Sequence, residues 1–223
     1  MLRPFRPLTE PSPSDLSGGL KSQRGHKKTM TTSEVGLREK ILVTAKSLFI
    51  QHGYHGLAMR QISEAVGVSK PALYYHFKDK EELFVAILRS NLDEIERNID
   101  LIRARKIASS EKMALLIEYV LNEPTEQRAI IRLASQEISQ LSSTARQSFG
   151  ESYHHQFIGK LQKIFQEGMD QGEFEPMDPA VATWALLGIM YPYFYPADTG
   201  AKPVTRETIR QIASIYLTGV VKK

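Results

Sequence analysis

The sequence predicts an all-α fold, and three observations carry that reading. From Ser33 onward, apolar residues recur at i, i+3 and i+4 almost without interruption. Gly, Pro and Ser signals divide these runs into segments of helical length. No stretch shows the apolar–polar alternation of a half-buried strand.

The first helix carries Leu37, Ile41, Ala45, Leu48 and Phe49 on one stripe, with Ser33 and Glu34 as entry signals and Gly53 as a stop. A shorter helix from Ala58 to Val66 follows, with Met59, Ile62, Ala65 and Val66 apolar, and Gly67 breaks it. A third runs from about Lys70 to Phe77. A long helix from about Asp79 to Lys106 carries Phe84, Leu88, Ile95, Ile99 and Ile102. Ser109 and Ser110 open a helix to about Asn122, and Pro124 opens another to about Leu141. One continuous helix is expected from Ser143 to the Gly168–Gly172 region. Asp178 and Pro179, an N-cap followed by proline at the first helical position, start the next, which carries Trp184, Leu187 and Met190. Pro192 and Pro196 disturb and end it, and a last helix covers about Thr205 to Leu217.

Composition narrows the function classes. With 42% hydrophobic and 24% charged residues, the 223-residue chain can bury an ordinary globular core of one or two domains. The absence of cysteine excludes disulfides, thiolate metal sites and a cysteine nucleophile. No apolar run approaches the roughly 18 residues of a membrane span, and the Pro-rich start lacks a secretory h-region, so a cytoplasmic protein is expected. The formal charge of +4 belongs to residues 1–28, where Arg3, Arg6, Lys21, Arg24, Lys27 and Lys28 face only Glu10 and Asp15. The remaining chain is neutral, so a nucleic-acid reading has to rest on local clusters. Residues 1–32, rich in Pro, Ser and basic groups, are expected to be a disordered extension. It is either a basic arm for DNA or sequence upstream of a start at Met30.

The most informative stretch is VGVSKPALYYHFKDKEEL, Val66 to Leu83. Two short helices separated by Gly67-Val68, after a longer one, have helix-turn-helix spacing, and the glycine supplies the positive φ of a tight turn. Leu73 and Phe77 sit four apart and face Ile62 and Val66. That leaves Lys70, Pro71, Tyr74 and Tyr75 on other faces, available to bases and phosphates. His76, Lys78 and Lys80 stand at the C-terminal end, and Arg60 is placed to reach a guanine edge. The competing reading is a helical hairpin whose aromatics are all core. It is weakened because Tyr74, Tyr75, His76 and Phe77 cannot all face one core.

The stretch GYHGLAMRQISEAVGVSKPALYYHFKDKEELF, Gly53 to Phe84, resembles the DNA-binding domain of TetR-type transcriptional regulators. With the preceding helix the resemblance covers Leu37 to about Leu88. It implies an N-terminal three-helix helix-turn-helix DNA-binding domain, taken as residues 33–80, and a C-terminal helical ligand-binding and dimerisation domain, residues 81–223. It also implies a DNA surface of Arg60, Ser69, Lys70, Pro71 and Ala72, continued by Tyr74, Tyr75, His76 and Lys80. Lys70 and Pro71 match positions that touch bases, whereas Tyr74, His76 and Lys80 match positions that touch phosphates. Family members usually carry Ser or Thr at or beside position 58; Leu57, Ala58 and Met59 have no hydroxyl. Pro71 replaces a common glycine, which the first turn of a helix tolerates.

For a small apolar or amphipathic effector, the candidates are Tyr119, His154, Phe157, Trp184, Met190 and Tyr191. Most aromatic or Met residues at helical spacing are plain core. Adjacent His154 and His155 point about 100° apart on a helix, so no metal pair is expected. No cofactor is expected. For a homodimer interface the expected stripes are Ala182, Ala185, Leu186 and Ile189, partnered by Ile209, Ile212, Ala213 and Tyr216. The leading expectation is therefore a repressor released from a palindromic operator by a small molecule. One alternative keeps DNA binding but drops the effector. An all-α enzyme using His154 or His155 as base is remote, because no nucleophile–base spacing, HExxH or phosphate loop is present.

Overall fold

The computed structural model describes residues 32–194 and 204–221. The Pro-rich extension expected over residues 1–32 therefore lies outside the described residues but for its last, and so do Tyr195 and Pro196. The described residues form ten α-helices: α1 (Thr32–His52), α2 (Met59–Val66), α3 (Lys70–His76), α4 (Lys80–Arg103), α5 (Ser109–Asn122), α6 (Thr125–Glu137), α7 (Ser143–Tyr153), α8 (Gly159–Asp170), α9 (Pro179–Met190) and α10 (Arg206–Val220). The all-α expectation holds. The only strand-like pairing among them is a single antiparallel bridge between Phe174 and Val221.

The first three helices fold as their spacing requires. Gly53 (φ 70°) ends α1, and Gly67 (φ 78°) makes the turn between α2 and α3, its N–H bonding Ser63 and Glu64 carbonyls. Ile62, Val66, Leu73 and Phe77 are all buried, and the Arg38 guanidinium stands 5.0 Å over the Phe77 ring. The recognition segment is thus fastened by two side chains one turn apart, leaving its other faces in solvent.

Helix α4 joins both halves. Asp79 caps it by accepting from the Glu82 N–H at 2.8 Å, while the Glu82 carboxylate reaches back to the Lys78 N–H. Its first residue, Lys80, is turned inward. Nζ donates to the Tyr54 carbonyl at 2.7 Å and the Leu57 carbonyl at 3.0 Å, and lies 4.5 Å from the centre of the Tyr54 ring. Two carbonyls of the loop before α2 are satisfied by one ammonium, which ties that loop to the start of α4. Further along, α4 packs against α5, α6 and α7.

One expected element is divided. The continuous helix from Ser143 is interrupted by a π-helical turn, His154–Ile158, between α7 and α8. Successive i, i+4 positions on a strict α-helix drift by about 40° per step. The wider turn absorbs part of that drift, so Phe149, Tyr153, Phe157 and Leu161 all stay on the inner side, with Phe149, Phe157 and Leu161 buried. Short 3₁₀ turns follow α6 (Ile138–Gln140) and α9 (Tyr191–Phe194), the second where Pro192 interrupts the helical hydrogen bonding.

Two stability changes are expected. Phe77→Ala should cost about 3–5 kcal/mol, as for other large-to-small core changes. Lys80→Met keeps the aliphatic stem but leaves two carbonyls without their donor, for a loss of about 1–2 kcal/mol. Urea unfolding monitored by circular dichroism measures both, and a Phe77→Ala loss below 1 kcal/mol would contradict the fastening role given to that ring.

Candidate nucleic-acid interface and ligand cavity

Ser69 caps α3, its hydroxyl accepting from the Ala72 N–H at 3.3 Å, and Pro71 occupies the first turn, where its missing N–H costs nothing. Lys70 and Pro71 are exposed; Tyr74 and Tyr75 are 48% and 57% exposed, although each carries a large ring. His76 is half-buried and meets Tyr75 edge-on, with ring centroids 5.3 Å apart. Arg60, Lys70 and Tyr74 border an open cleft between α2 and α3, whose wall also includes Gly56, Ala58, Gln61 and Lys80.

Three predicted contacts are modified by this geometry. Lys80 lines the cleft, yet two of its three donors are committed to Tyr54 and Leu57, so it is first a clamp. Arg60 is exposed but paired through Nε with Glu64 at 2.7 Å, which raises its pKa and leaves the outer edge of the fork free to reach a base. The Ser69 hydroxyl already accepts a hydrogen bond as a cap. The hydroxyl missing at position 58 is offset in part by Gln61, whose Oε1 accepts from the Ala58 N–H at 2.8 Å.

The second feature is a cavity of about 380 Å³ within the C-terminal helices. Helix α4 contributes Leu88, Asn91, Leu92 and Ile95. Helix α6 contributes Ile130, Ile131, Ala134 and Ser135, and Phe149, Tyr153 and Phe157 come from α7 and the π-helical turn. Trp184, Leu187, Tyr191 and Phe194 close the side formed by α9. Burial pushes the Tyr153 phenol up to about 12, so it stays neutral in the physiological range. The Ser135 and Tyr191 hydroxyls lie 3.4 Å apart.

Of the six effector candidates, Phe157, Trp184 and Tyr191 line this cavity. Tyr119 lies in an adjoining crevice of about 20 Å³, where it accepts from Asn98 Nδ2 at 3.1 Å. The other two lie apart from the cavity's lining. Met190 is buried in the core away from the cavity lining, and His154, the first residue of the π-helical turn, faces solvent. Sequence reasoning missed Phe149 and Tyr153, although the row Phe149, Tyr153, Phe157 at i, i+4, i+8 was a legible sign of one aromatic helix face.

The expected dimer stripes lie mostly inside the protomer. Ala182, Leu186, Ile209, Ile212 and Tyr216 are buried within the protomer, and the Tyr216 hydroxyl donates to the Ala182 carbonyl at 2.7 Å. Ile189 and Ala213 are half-buried, and only Ala185 is exposed. The residues turned outward lie about one position away: Val181 (64% exposed), Trp184 (56%) and Gly188 on α9, and Ile215 (69%) on α10. Helix α9 is apolar nearly all round, and the sequence alone did not say which of its sides faces the protomer.

Comparison with known proteins agrees with this arrangement. The family profile described as bacterial regulatory proteins, tetR family, matches residues 41–87, and the tetracyclin repressor-like C-terminal domain profile matches residues 106–192. YfiR of Bacillus subtilis, an uncharacterised helix-turn-helix transcriptional regulator, is 30% identical over 146 residues, covering 63% of this chain and 69% of YfiR. Among solved structures, AibR in complex with isovaleryl coenzyme A and operator DNA superposes with a TM-score of 0.67 at 24% identity, over 81% of this chain and 96% of AibR. A Saccharomonospora viridis protein solved with choline gives a TM-score of 0.72 at 21% identity, over 85% of this chain and all of the other. A helix-turn-helix with an exposed recognition face, a helical C-terminal half and matching profiles over both place this chain in the TetR family of DNA-binding transcriptional regulators.

Proposed function

We propose that this regulator is a homodimeric repressor that leaves a palindromic operator when a small molecule occupies the α4/α6/α7/α9 cavity. The observation that carries this reading is that the cavity and the DNA-facing cleft are both walled by α4: Lys80 at one end, Leu88 to Ile95 further along. A ligand that displaces α4 would move the recognition helices of a dimer away from the spacing of one helical turn, about 34–36 Å, that paired half-sites demand. Regulators of this kind act in the cytoplasm, and no catalytic role is assigned to the chain. Residues 33–80 would form the reading head, 81–223 the effector and dimer unit, and 1–32 an extension. The alternative without an effector is less favoured, because a cavity of this size and apolarity is costly to leave unfilled. The isovaleryl coenzyme A bound by AibR is an example of ligand and operator on one protein of this fold.

The operator surface is assigned to Lys70, Pro71, Tyr74, Tyr75 and His76, with Arg60 and Ser69 beside them. The dimer surface is assigned to the outward faces of α9 and α10, where the large apolar side chains Val181 and Ile215 are 64% and 69% exposed.

Operator binding followed by fluorescence anisotropy tests the first assignment. Lys70→Ala and Tyr74→Ala should each weaken binding by roughly five-fold or more with helicity and dimer retained, since a good base or phosphate contact is worth about 1–3 kcal/mol. Lys70→Ala should also lower the slope of log affinity against log salt by about one. Lys80→Met should leave that slope unchanged if Lys80 is a clamp, and a drop of one unit would return it to the phosphate contacts. Val181→Glu combined with Ile215→Glu should convert the dimer to monomer in sedimentation velocity. A dimer of unaltered stability would place the interface elsewhere.

A further inference from the structure

We propose that the ligand of the C-terminal cavity is an uncharged, mainly hydrocarbon molecule with a single hydroxyl-sized polar group that meets the Ser135–Tyr191 edge. This inference rests on the reading of the cavity as the effector site and narrows it to one chemical class.

None of the described lining residues is Asp, Glu, Lys, Arg or His. A carboxylate, phosphate or ammonium drawn inward past the Ser135–Tyr191 edge would lose its hydration without gaining a counter-charge, which is the costliest form of burial. Several charged groups on the surrounding helices have partners outside the cavity lining. Lys160 bonds Glu96 and Asp100 at 2.7 and 2.6 Å, Gln156 bonds Asp93 and Glu96, and Arg128 donates to the carbonyls of Leu121 and Glu123. The Tyr153 phenol supplies no anion for a cationic guest, because burial keeps it protonated.

The polar groups that do line the cavity are few and neutral. Ser135 Oγ and Tyr191 Oη stand 3.4 Å apart, both on exposed residues. Ser135 Oγ donates its proton to the Arg132 carbonyl at 2.7 Å, so its lone pairs are what it offers a guest hydroxyl. Opposite in character is the aromatic row Phe149, Tyr153, Phe157, with successive ring centroids 6.3 and 5.4 Å apart. It offers flat apolar contact along roughly two helical turns. A volume of about 380 Å³ holds on the order of a dozen heavy atoms, the size of a ten-carbon chain with one oxygen.

The chain has one tryptophan, Trp184, and it lines this cavity, so the protein carries its own reporter. The experiment titrates the full-length protein with 1-decanol, decanoate, decyltrimethylammonium and decanoyl-coenzyme A, following Trp184 emission and heat of binding. 1-Decanol should saturate the signal, 1-octanol should bind roughly fifteen-fold more weakly, about four-fold per methylene, and each charged analogue should bind at least ten-fold more weakly than 1-decanol. Any charged analogue within ten-fold of 1-decanol overturns the inference, as does the absence of saturable decanol binding. Decanoyl-coenzyme A as the tightest of the four would mean an acyl chain inside and a charged head outside. Ala134→Phe, which narrows the cavity from α6, should abolish decanol binding while Lys70-dependent operator binding persists; unchanged decanol affinity would place the site elsewhere and overturn the assignment. Operator release is read separately by anisotropy. Decanol binding without release would sink the repressor reading and leave the ligand class standing.

Discussion

The packing of Phe84 against Phe49 and Tyr54 is the contact on which the two halves of this molecule depend. The Phe84 ring sits 5.0 Å from each of the other two centroids, edge-on to Phe49, and all three side chains are buried. Phe49 closes α1, Tyr54 begins the loop to α2, and Phe84 is in the second turn of α4. The reading head and the longest helix therefore share one core instead of meeting across a linker. Lys80 adds a polar lock one turn earlier, bonding the backbone of the same loop. Such a junction resists hinging at residue 80, so motion of α4 has to carry α1–α3 with it.

The same helix is held to α7 near its start. The Glu81 carboxylate accepts from both the N–H and the hydroxyl of Ser142, each at 2.7 Å, and Ser142 caps α7. Helix α7 and the π-helical turn then deliver the aromatic row to the cavity, while Gln156 in that turn and Lys160 at the start of α8 bind the acidic face of α4. Cavity wall and reading head are thus joined by short charge-assisted contacts at both ends of one helix pair. This is the physical basis for expecting a ligand between α4 and α7 to affect DNA binding, since coupling needs a contiguous element with which both sites interact.

Much of the reading head was legible from sequence because its constraints are local. Gly67 marks the turn, and only glycine adopts φ 78° there without strain. Leu73 and Phe77 must face α2, so Lys70, Tyr74 and Tyr75 must face away. Lys80 was the exception: its charge suggested a phosphate contact, but its partners are carbonyls 23 and 26 residues earlier in the chain. No local pattern encodes such a bond. In the C-terminal half the helices were legible and their rotations were not. Ala182, Leu186 and Tyr216 were placed on a subunit interface and lie in the protomer core, because α9 is apolar all round and its period does not choose a side.

What the sequence by itself determined is the set of helices, the turn chemistry and the family motif, all of which depend on residues within a few positions of one another. Only the tertiary structure decided where Lys80 spends its hydrogen bonds, which side of α9 is outward, and that Phe149, Tyr153 and Phe157 converge with Trp184 and Tyr191 on one uncharged cavity. Those outcomes depend on how four helices distant in sequence rotate against one another. That rotation is fixed by side-chain packing across helices, which has no periodicity for the sequence to display.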